Sequence, residues 1–387
     1  AVVDDDDGAA RHLAAGAGRG GHRDQRRHQH PTRQARLFAL ERATNQRPGN
    51  LDLLGADDGG TKATGRYLGN ATLSADNLLN LNDLFYATLS HDLGGGNNGS
   101  RGAYGSTFHY SLPWGYWLLG LTRNTYTYHQ TVAGASQAYR YSGESENSDL
   151  RLTRLLFRDA VQKTSAFIKA WSRSSANFID DTEVEVQRRR MGGWEAGLSH
   201  RRFISAATLD LNLAYRRGTG AFDSLAAPEE PFGEGSARPE ITLFDSQLVL
   251  PFRVFGQSLR YAGTWRAQWN ATPLVPQDRF AIGGRYTVRG FDGENILSAE
   301  RGWLWRNELG IALGDSGVEA YLGVDQGQVA GPSARRLVGQ RLAGAVAGLR
   351  GAYRGFTWDL FLGGPLSKPE GFIAAHSTGG FSLGWSW

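Results

Sequence analysis

The chain has 387 residues, of which 52 are glycine and 11 tryptophan, and it contains no cysteine. No apolar run approaches the roughly 18 residues that a membrane-spanning helix needs, and without cysteine neither a disulfide scaffold nor a cysteine-ligated metal site can be built. Lys+Arg number 42 against 38 Asp+Glu, and the arginines are spread along the chain, which does not make a phosphate-binding stripe.

Residues 1–50 differ in texture from the rest of the chain. Asp4 to Asp7 form an acidic run, Gly/Ala-rich chain comes next, and a His/Arg cluster extends through His30. The stretch from Thr32 to Gln46 predicts one short helix whose few apolar members are Leu37, Phe38 and Leu40. His12, His22, His28 and His30 lack the spacing of a ligand set, so no metal is assigned to them. This segment reads as an N-terminal remnant, linker or plug, and 51–387 as one β-domain.

From Leu51 onward, apolar and polar residues alternate between Gly/Asn/Asp/Pro turns, the period of a strand with two unlike faces. About sixteen strands are predicted, starting near residues 51, 65, 81, 103, 116, 139, 162, 183, 207, 241, 258, 301, 318, 341, 355 and 378. In 149–157 Arg154 interrupts the leucines. In 183–191, Val184 and Val186 alternate with Glu183, Glu185 and Gln187. In 209–216, Leu209, Leu211, Leu213 and Tyr215 oppose Asp210, Asn212, Ala214 and Arg216. In 318–327, Val318, Ala320, Leu322 and Val324 oppose Glu319, Tyr321, Gly323, Asp325 and Gly327. Short connections alternate with long ones at 92–102, 220–240, 271–300, 328–340 and 365–377.

Several predicted strands, such as 116–130 and 162–173, exceed the five or six residues usual in a soluble sandwich. Aromatic residues gather at strand ends: Trp114, Tyr116 and Trp117, Trp303 and Trp305, Trp385 and Trp387. Belts at the two headgroup levels of a bilayer give that placement a cause. Lipid offers no hydrogen bond to an open sheet edge, so the sheet must close. The fold class is therefore all-β, a 16-stranded antiparallel transmembrane β-barrel of an outer membrane.

The face opposite the apolar one lines the lumen, with Asp210, Arg216, Arg266, Arg306, Glu308 and Glu319 among its members. Connection 271–300 carries Ile282, Val288 and Phe291 among glycines, too apolar a set for a solvated loop, and is expected to fold inward. That movement brings Arg289, flanked by Gly290 and Phe291, to a lumen carboxylate, since the guanidinium fork holds a carboxylate at two points. Asp325 is the favoured partner because Gly327, on the same face, leaves room for an approaching backbone. Asp210, Glu308 and Glu319 compete with it.

The same two segments resemble a known family. GGRYTVRGFDGE at 283–294 is similar to the sixth-loop signature of two-partner secretion outer-membrane transporters of the filamentous haemagglutinin transporter type. LGVDQG at 322–327 resembles their lumen-facing strand motif, and 63–77, 177–189, 213–222 and 272–284 are also family-like, so the resemblance covers about 51–387. It implies a long, inward-folded sixth extracellular loop, locked or gated through Arg289, Gly290, Phe291, Asp325 and Gly327. It also implies export of a large β-helical exoprotein bearing an N-terminal secretion domain, of the adhesin, haemolysin or contact-dependent toxin type, from periplasm to cell surface. Outer-membrane lipid and lipopolysaccharide would surround a monomer that uses no cofactor and no nucleic acid. The periplasmic transport-associated domains implied by the resemblance do not fit within residues 1–50 and are expected to be largely absent.

Three other readings compete. An insertase of the barrel-assembly group shares the loop arginine and its aspartate partner. A diffusion porin shares the barrel. An enzyme is disfavoured, because no GxSxG elbow and no HExxH motif is present and no catalytic residue is assigned. DDGG at 57–60 and DDTE at 180–183 lack the ligand spacing of a calcium loop and read as solvated turns.

Overall fold

The computed structural model describes residues 50–94 and 99–386. The helix expected at 32–46, and the remnant, linker or plug assigned up to residue 49, lie outside the described residues. One sheet of seventeen strands contains the two-residue piece Thr182–Glu183, which only extends a hairpin; the other sixteen form a closed antiparallel barrel. They are β1 (Asn50–Asp57), β2 (Leu68–Asp76), β3 (Leu84–Asp92), β4 (Arg101–Trp114), β5 (Trp117–Ala133), β6 (Ala138–Arg158), β7 (Gln162–Ile179) and β8 (Arg189–Ile204). The second half comprises β9 (Ala207–Thr219), β10 (Glu240–Val254), β11 (Gln257–Asn270), β12 (Arg301–Ala312), β13 (Val318–Ala330), β14 (Arg341–Tyr353), β15 (Phe356–Ser367) and β16 (Thr378–Ser386).

Each strand pairs with its neighbours in sequence, and β1 closes the cylinder by pairing with β16 as well as β2. Lipid cannot satisfy backbone groups, so this last pairing is the condition for the barrel to exist in a bilayer. Among the described residues it runs from Leu53 opposite Ser386 to Asp57 opposite Ser382. One end of the barrel has tight turns such as 115–116, 205–206 and 255–256; the other has the long connections, of which 271–300 is the sixth.

The two faces are chemically distinct. On β13, Leu322 and Val324 are 66% and 53% exposed, whereas Asp325 between their neighbours is fully buried. The outward face is apolar and meets lipid; the inward face collects the charges. Trp265 lies opposite Trp305 across β11 and β12 and packs edge-on against Phe244 at 5.3 Å. Trp114, Tyr116, Phe255 and Tyr353 project from the tight-turn end, where an aromatic ring can sit at the headgroup level.

The predicted strand near 183 is corrected. Residues Glu185–Gln187 form a single 3-10 turn, and the strand begins at Arg189. Arg188 donates to Glu183 from Nε at 2.6 Å, folding the segment into a hairpin tip. This bond holds the Glu183 carboxyl below the usual carboxylate range, against the upward push of burial. Two valines among polar neighbours imitate a strand period, yet the chain turns there. Arg154, which interrupts the leucines of β6, lies near the tight-turn end with its guanidinium 5.0 Å from the Trp117 ring. From that depth a long side chain reaches the interface.

Val324 is halfway along β13 and faces outward, so Val324→Arg places a charge in hydrocarbon. A loss of about 2–4 kcal/mol is expected for a midplane site, measured as weakened folding into vesicles on semi-native gels, with Val324→Leu close to wild type.

Candidate functional site

Connection 271–300 is built as a structure of its own. Phe280–Ile282 pairs antiparallel with Leu297–Ala299, making a short hairpin whose tip carries residues 283–296. Thr287 Oγ1 accepts the N–H groups of Gly283 and Gly284, both at 3.1 Å, which tightens the turn leading to Arg289. At the root, Gln268 of β11 donates through Nε2 to the carbonyls of Asp278 (2.8 Å) and Glu300 (3.0 Å), so one side chain holds both arms.

The apolar residues of the loop are buried. Ile282, Val288, Phe291, Leu297 and Ala299 pack with Leu304 of β12, Val329 of β13 and Leu342 of β14, joined by Ala334 and Phe372 from the two following connections. Phe291 meets Phe372 edge-to-face at 5.9 Å. A second cluster combines Val275 with Ala227 and Ala237 of the preceding connection, Trp171 of β7 and Met191 of β8. Arg173 of β7 adds an ion pair to Asp278 at 3.0 Å. Burial of this kind, at about 25 cal/mol per Å² of apolar area, explains why the loop does not hang in solvent.

Arg289 is the polar centre. Its Nε donates to Asp325 Oδ2 at 2.7 Å and its Nη2 to Asp325 Oδ1 at 2.9 Å, a two-point contact. The backbone N–H of Arg289 donates to Asp325 Oδ2 as well, at 3.0 Å, and Nη1 reaches Glu308 Oε2 at 2.7 Å. Asp325 also accepts the Asn307 N–H at 3.3 Å and has Arg306 Nε at 3.6 Å. Glu308 is shared further with Arg260 (3.0 Å) and Arg350 (2.6 Å), and both of these arginines also pair with Glu319. Tyr321 completes the patch by donating to Asp359 at 2.8 Å. Removing Arg289 takes from the fully buried Asp325 its two-point partner, and breaking a buried pair in this way typically costs about 3–5 kcal/mol.

Of the residues nominated from sequence, Arg289, Asp325, Arg306, Glu308 and Glu319 come together in this patch. Gly290 and Phe291 adjoin it on the loop. Asp210, Arg216 and Arg266 lie elsewhere on the inner face, paired with Arg201 (2.6 Å), Glu195 (2.7 Å) and Asp245 (3.3 Å). The space at Gly327 has a different occupant from the one expected: a Cβ there would lie 3.0 Å from Val288 Cγ2 and 3.1 Å from Ile282 Cγ2, so loop side chains fill it. The backbone approaches at Gly344 instead, where a Cβ would fall on the Arg289 carbonyl oxygen. Gly290, at φ +92°, runs close to the Gly364 carbonyl. Asp58, read as part of a solvated turn, has a side chain only 5% exposed, bonded to Arg285 at 2.6 Å. Sequence reasoning passed over Arg260, Arg350 and Gly344; the arginines have the register of inner-face residues, whereas nothing local marks Gly344.

A family model described as haemolysin secretion/activation protein ShlB/FhaC/HecB matches residues 40–351. The chain belongs to this family. The outer membrane transporter CdiB-2 of Burkholderia pseudomallei is 38% identical over 334 residues, which cover 84% of this chain and 56% of the relative. The solved structure of CdiB from Acinetobacter baumannii superposes with a TM-score of 0.75 at 32% identity, covering 87% of this chain and 60% of that one. The chain thus spans little more than half the length of these relatives. BamA from Haemophilus ducreyi aligns at 12% identity with a TM-score of 0.57, a likeness of fold alone. Family and closed barrel together place this ShlB/FhaC/HecB-family chain in the outer membrane.

Two variants, one single and one double, test the geometry. Gly344→Val is expected to push the loop backbone off β14 while strand pairing persists, seen as easier protease cutting within 283–294 of a still-folded barrel. The exchange Arg289→Asp with Asp325→Arg is expected to restore nothing, because position 325 must also accept the residue 289 N–H and would face Arg306. A double variant as thermally resistant as wild type on semi-native gels would contradict this.

Proposed function

We propose that the barrel is the outer-membrane conduit of a two-partner secretion system, exporting one large exoprotein from the periplasm to the cell surface as an unfolded chain. The observation that carries the reading is the two-point Arg289–Asp325 contact, reinforced by Glu308, inside a closed barrel of the transporter family. Relatives named as outer membrane transporters and hemolysin transporters support the same conclusion. In this reading residues 271–300 occupy the lumen, with Arg289, Gly290, Phe291, Asp325 and Gly327 as the lock. Asp210, Arg216, Arg266, Arg306, Glu308 and Glu319 line the passage.

The chemistry suits transit of a polypeptide. Inner-face carboxylates and guanidiniums neutralise one another in pairs, so no strong field of one sign would retain a passing segment. A loop held by a few charge-assisted bonds over an apolar cluster has a discrete closed state, as a gate requires. Energy for movement would come from folding of the client outside the cell, in keeping with a conduit that needs no nucleotide. The client is a secreted protein with its own N-terminal secretion domain, and the barrel works as a monomer in lipid and lipopolysaccharide.

Co-expression with candidate exoproteins, scored by surface release, tests the proposal. Arg289→Ala is expected to reduce release at least tenfold at unchanged barrel abundance; unchanged release would refute the role of the lock. In planar bilayers the barrel should be mostly closed with brief openings, whereas a steady ohmic conductance would favour a porin.

A further inference from the structure

Among the described residues, the shortest strand pairing of the barrel is the one that closes it. β1 and β16 share the five positions from Leu53 opposite Ser386 to Asp57 opposite Ser382, while β5 and β6 stay paired from Trp117 opposite Arg154 to Ala133 opposite Ala138. At the long-loop end of this seam the ladder does not simply stop. The next residue, Asp58, directs its carboxylate across the seam, where Oδ1 accepts the Phe381 N–H at 2.8 Å. The Phe381 carbonyl accepts from Arg285 Nη2 at 2.9 Å, and Arg285 Nη1 donates to the same Asp58 Oδ1 at 2.6 Å. The Asp58 N–H lies at a marginal 3.5 Å from the Phe381 carbonyl. Both backbone groups of Phe381 are thus met by a carboxylate from the end of β1 and a guanidinium from the 271–300 connection.

Surrounding contacts hold this arrangement. The Arg285 guanidinium stacks 5.0 Å from the Phe361 ring on β15. Gly380 has no side chain because a Cβ there would lie 2.6 Å from Phe361 and 2.7 Å from Asp58 Oδ1. Gly59 lies under the Tyr286 hydroxyl, and Glu294 accepts the Lys62 N–H at 3.2 Å, so the loop tip touches the first long connection at three places. Arg66 gives Asp58 a second, more exposed partner at 3.3 Å, and its Nη2 donates to the Gly379 carbonyl and not to that of Phe381.

We propose that Arg285 and Asp58 are a second anchor of the 271–300 connection, acting as a side-chain rung that completes the β1–β16 seam. The loop leaves its place only with loss of this rung, so loop position and seam strength are coupled. Arg285 and Asp58 are positioning residues, distinct from Arg289, and the inference rests on the proposed function, in which the loop is the moving element. Arginine is required because one planar fork must meet a carboxylate and a carbonyl at once.

Hydrogen exchange on the full chain folded in phosphatidylcholine vesicles provides the test. Arg285→Gln and Asp58→Asn are each expected to speed exchange of peptides covering 378–386 about tenfold, the change for loss of roughly one such bond. Peptides from β5 and β6 should be unaffected, and the double variant should exchange no faster than the faster single one. Arg285→Lys, which keeps the charge but not the fork, should fall between wild type and Arg285→Gln. Because the chain has no cysteine, a disulfide between Ala56→Cys and Leu383→Cys, opposed across the seam, offers a second measurement. It should return the exchange of the Arg285→Gln variant to the wild-type rate. Unchanged exchange in both single variants, or strictly additive effects in the double, overturns the proposal. Release of exoprotein by Arg289→Ala is scored separately and bears on the conduit reading alone.

Discussion

Hydrocarbon leaves a backbone N–H or C=O no partner outside the sheet, and this constraint governs the rest of the molecule. Every strand must bond on both edges, so β1, at the start of the barrel, has to find β16 at its end. Closure separates two environments that an open sheet would mix. Leu322 and Val324 face lipid, while Gly323, Asp325 and Gly327 face inward on the same strand.

Inside the cylinder, electrostatics replaces the hydrophobic sorting of the outer face. Several carboxylates there are placed within reach of more than one guanidinium or ammonium: Glu308 meets Arg289, Arg260 and Arg350, and Glu195 meets Lys169 and Arg216. Water-poor surroundings make such contacts strong and make their loss costly. Arg289 therefore enters a network that the strands already hold in register. The apolar cluster of Ile282, Val288 and Phe291 supplies the bulk of the burial, and the guanidinium supplies the geometry.

Most of the barrel was legible because its evidence is repeated. Period-two alternation recurs strand after strand, and sixteen predicted starts fall within a few residues of those found, the largest discrepancy being at 183. There Val184 and Val186 mimic a strand, but Glu183 and Arg188 bond to each other and turn the chain. Part of the candidate site was legible too. Arg289 stood out as a cation between the apolar Val288 and the Gly290–Phe291 pair of that loop, and Asp325 as a carboxylate flanked by glycines on an inward face. Their contact is in the structure; the lock they form is the proposal.

What the sequence by itself determined was the class of solution: strand period, strand number, the inward and outward faces, and a loop too apolar for water. These arise from local order, since a strand's two faces are written in consecutive residues. Tertiary structure decided which backbone met which glycine, that Gly344 and not Gly327 lies beneath the Arg289 carbonyl, and that Asp58 is buried beside Arg285. Those contacts join residues up to hundreds of positions apart, such as Asp58 and Phe381, and depend on the curvature and register of the closed sheet. No period in the chain encodes such a meeting; it exists only once β1 and β16 have come together.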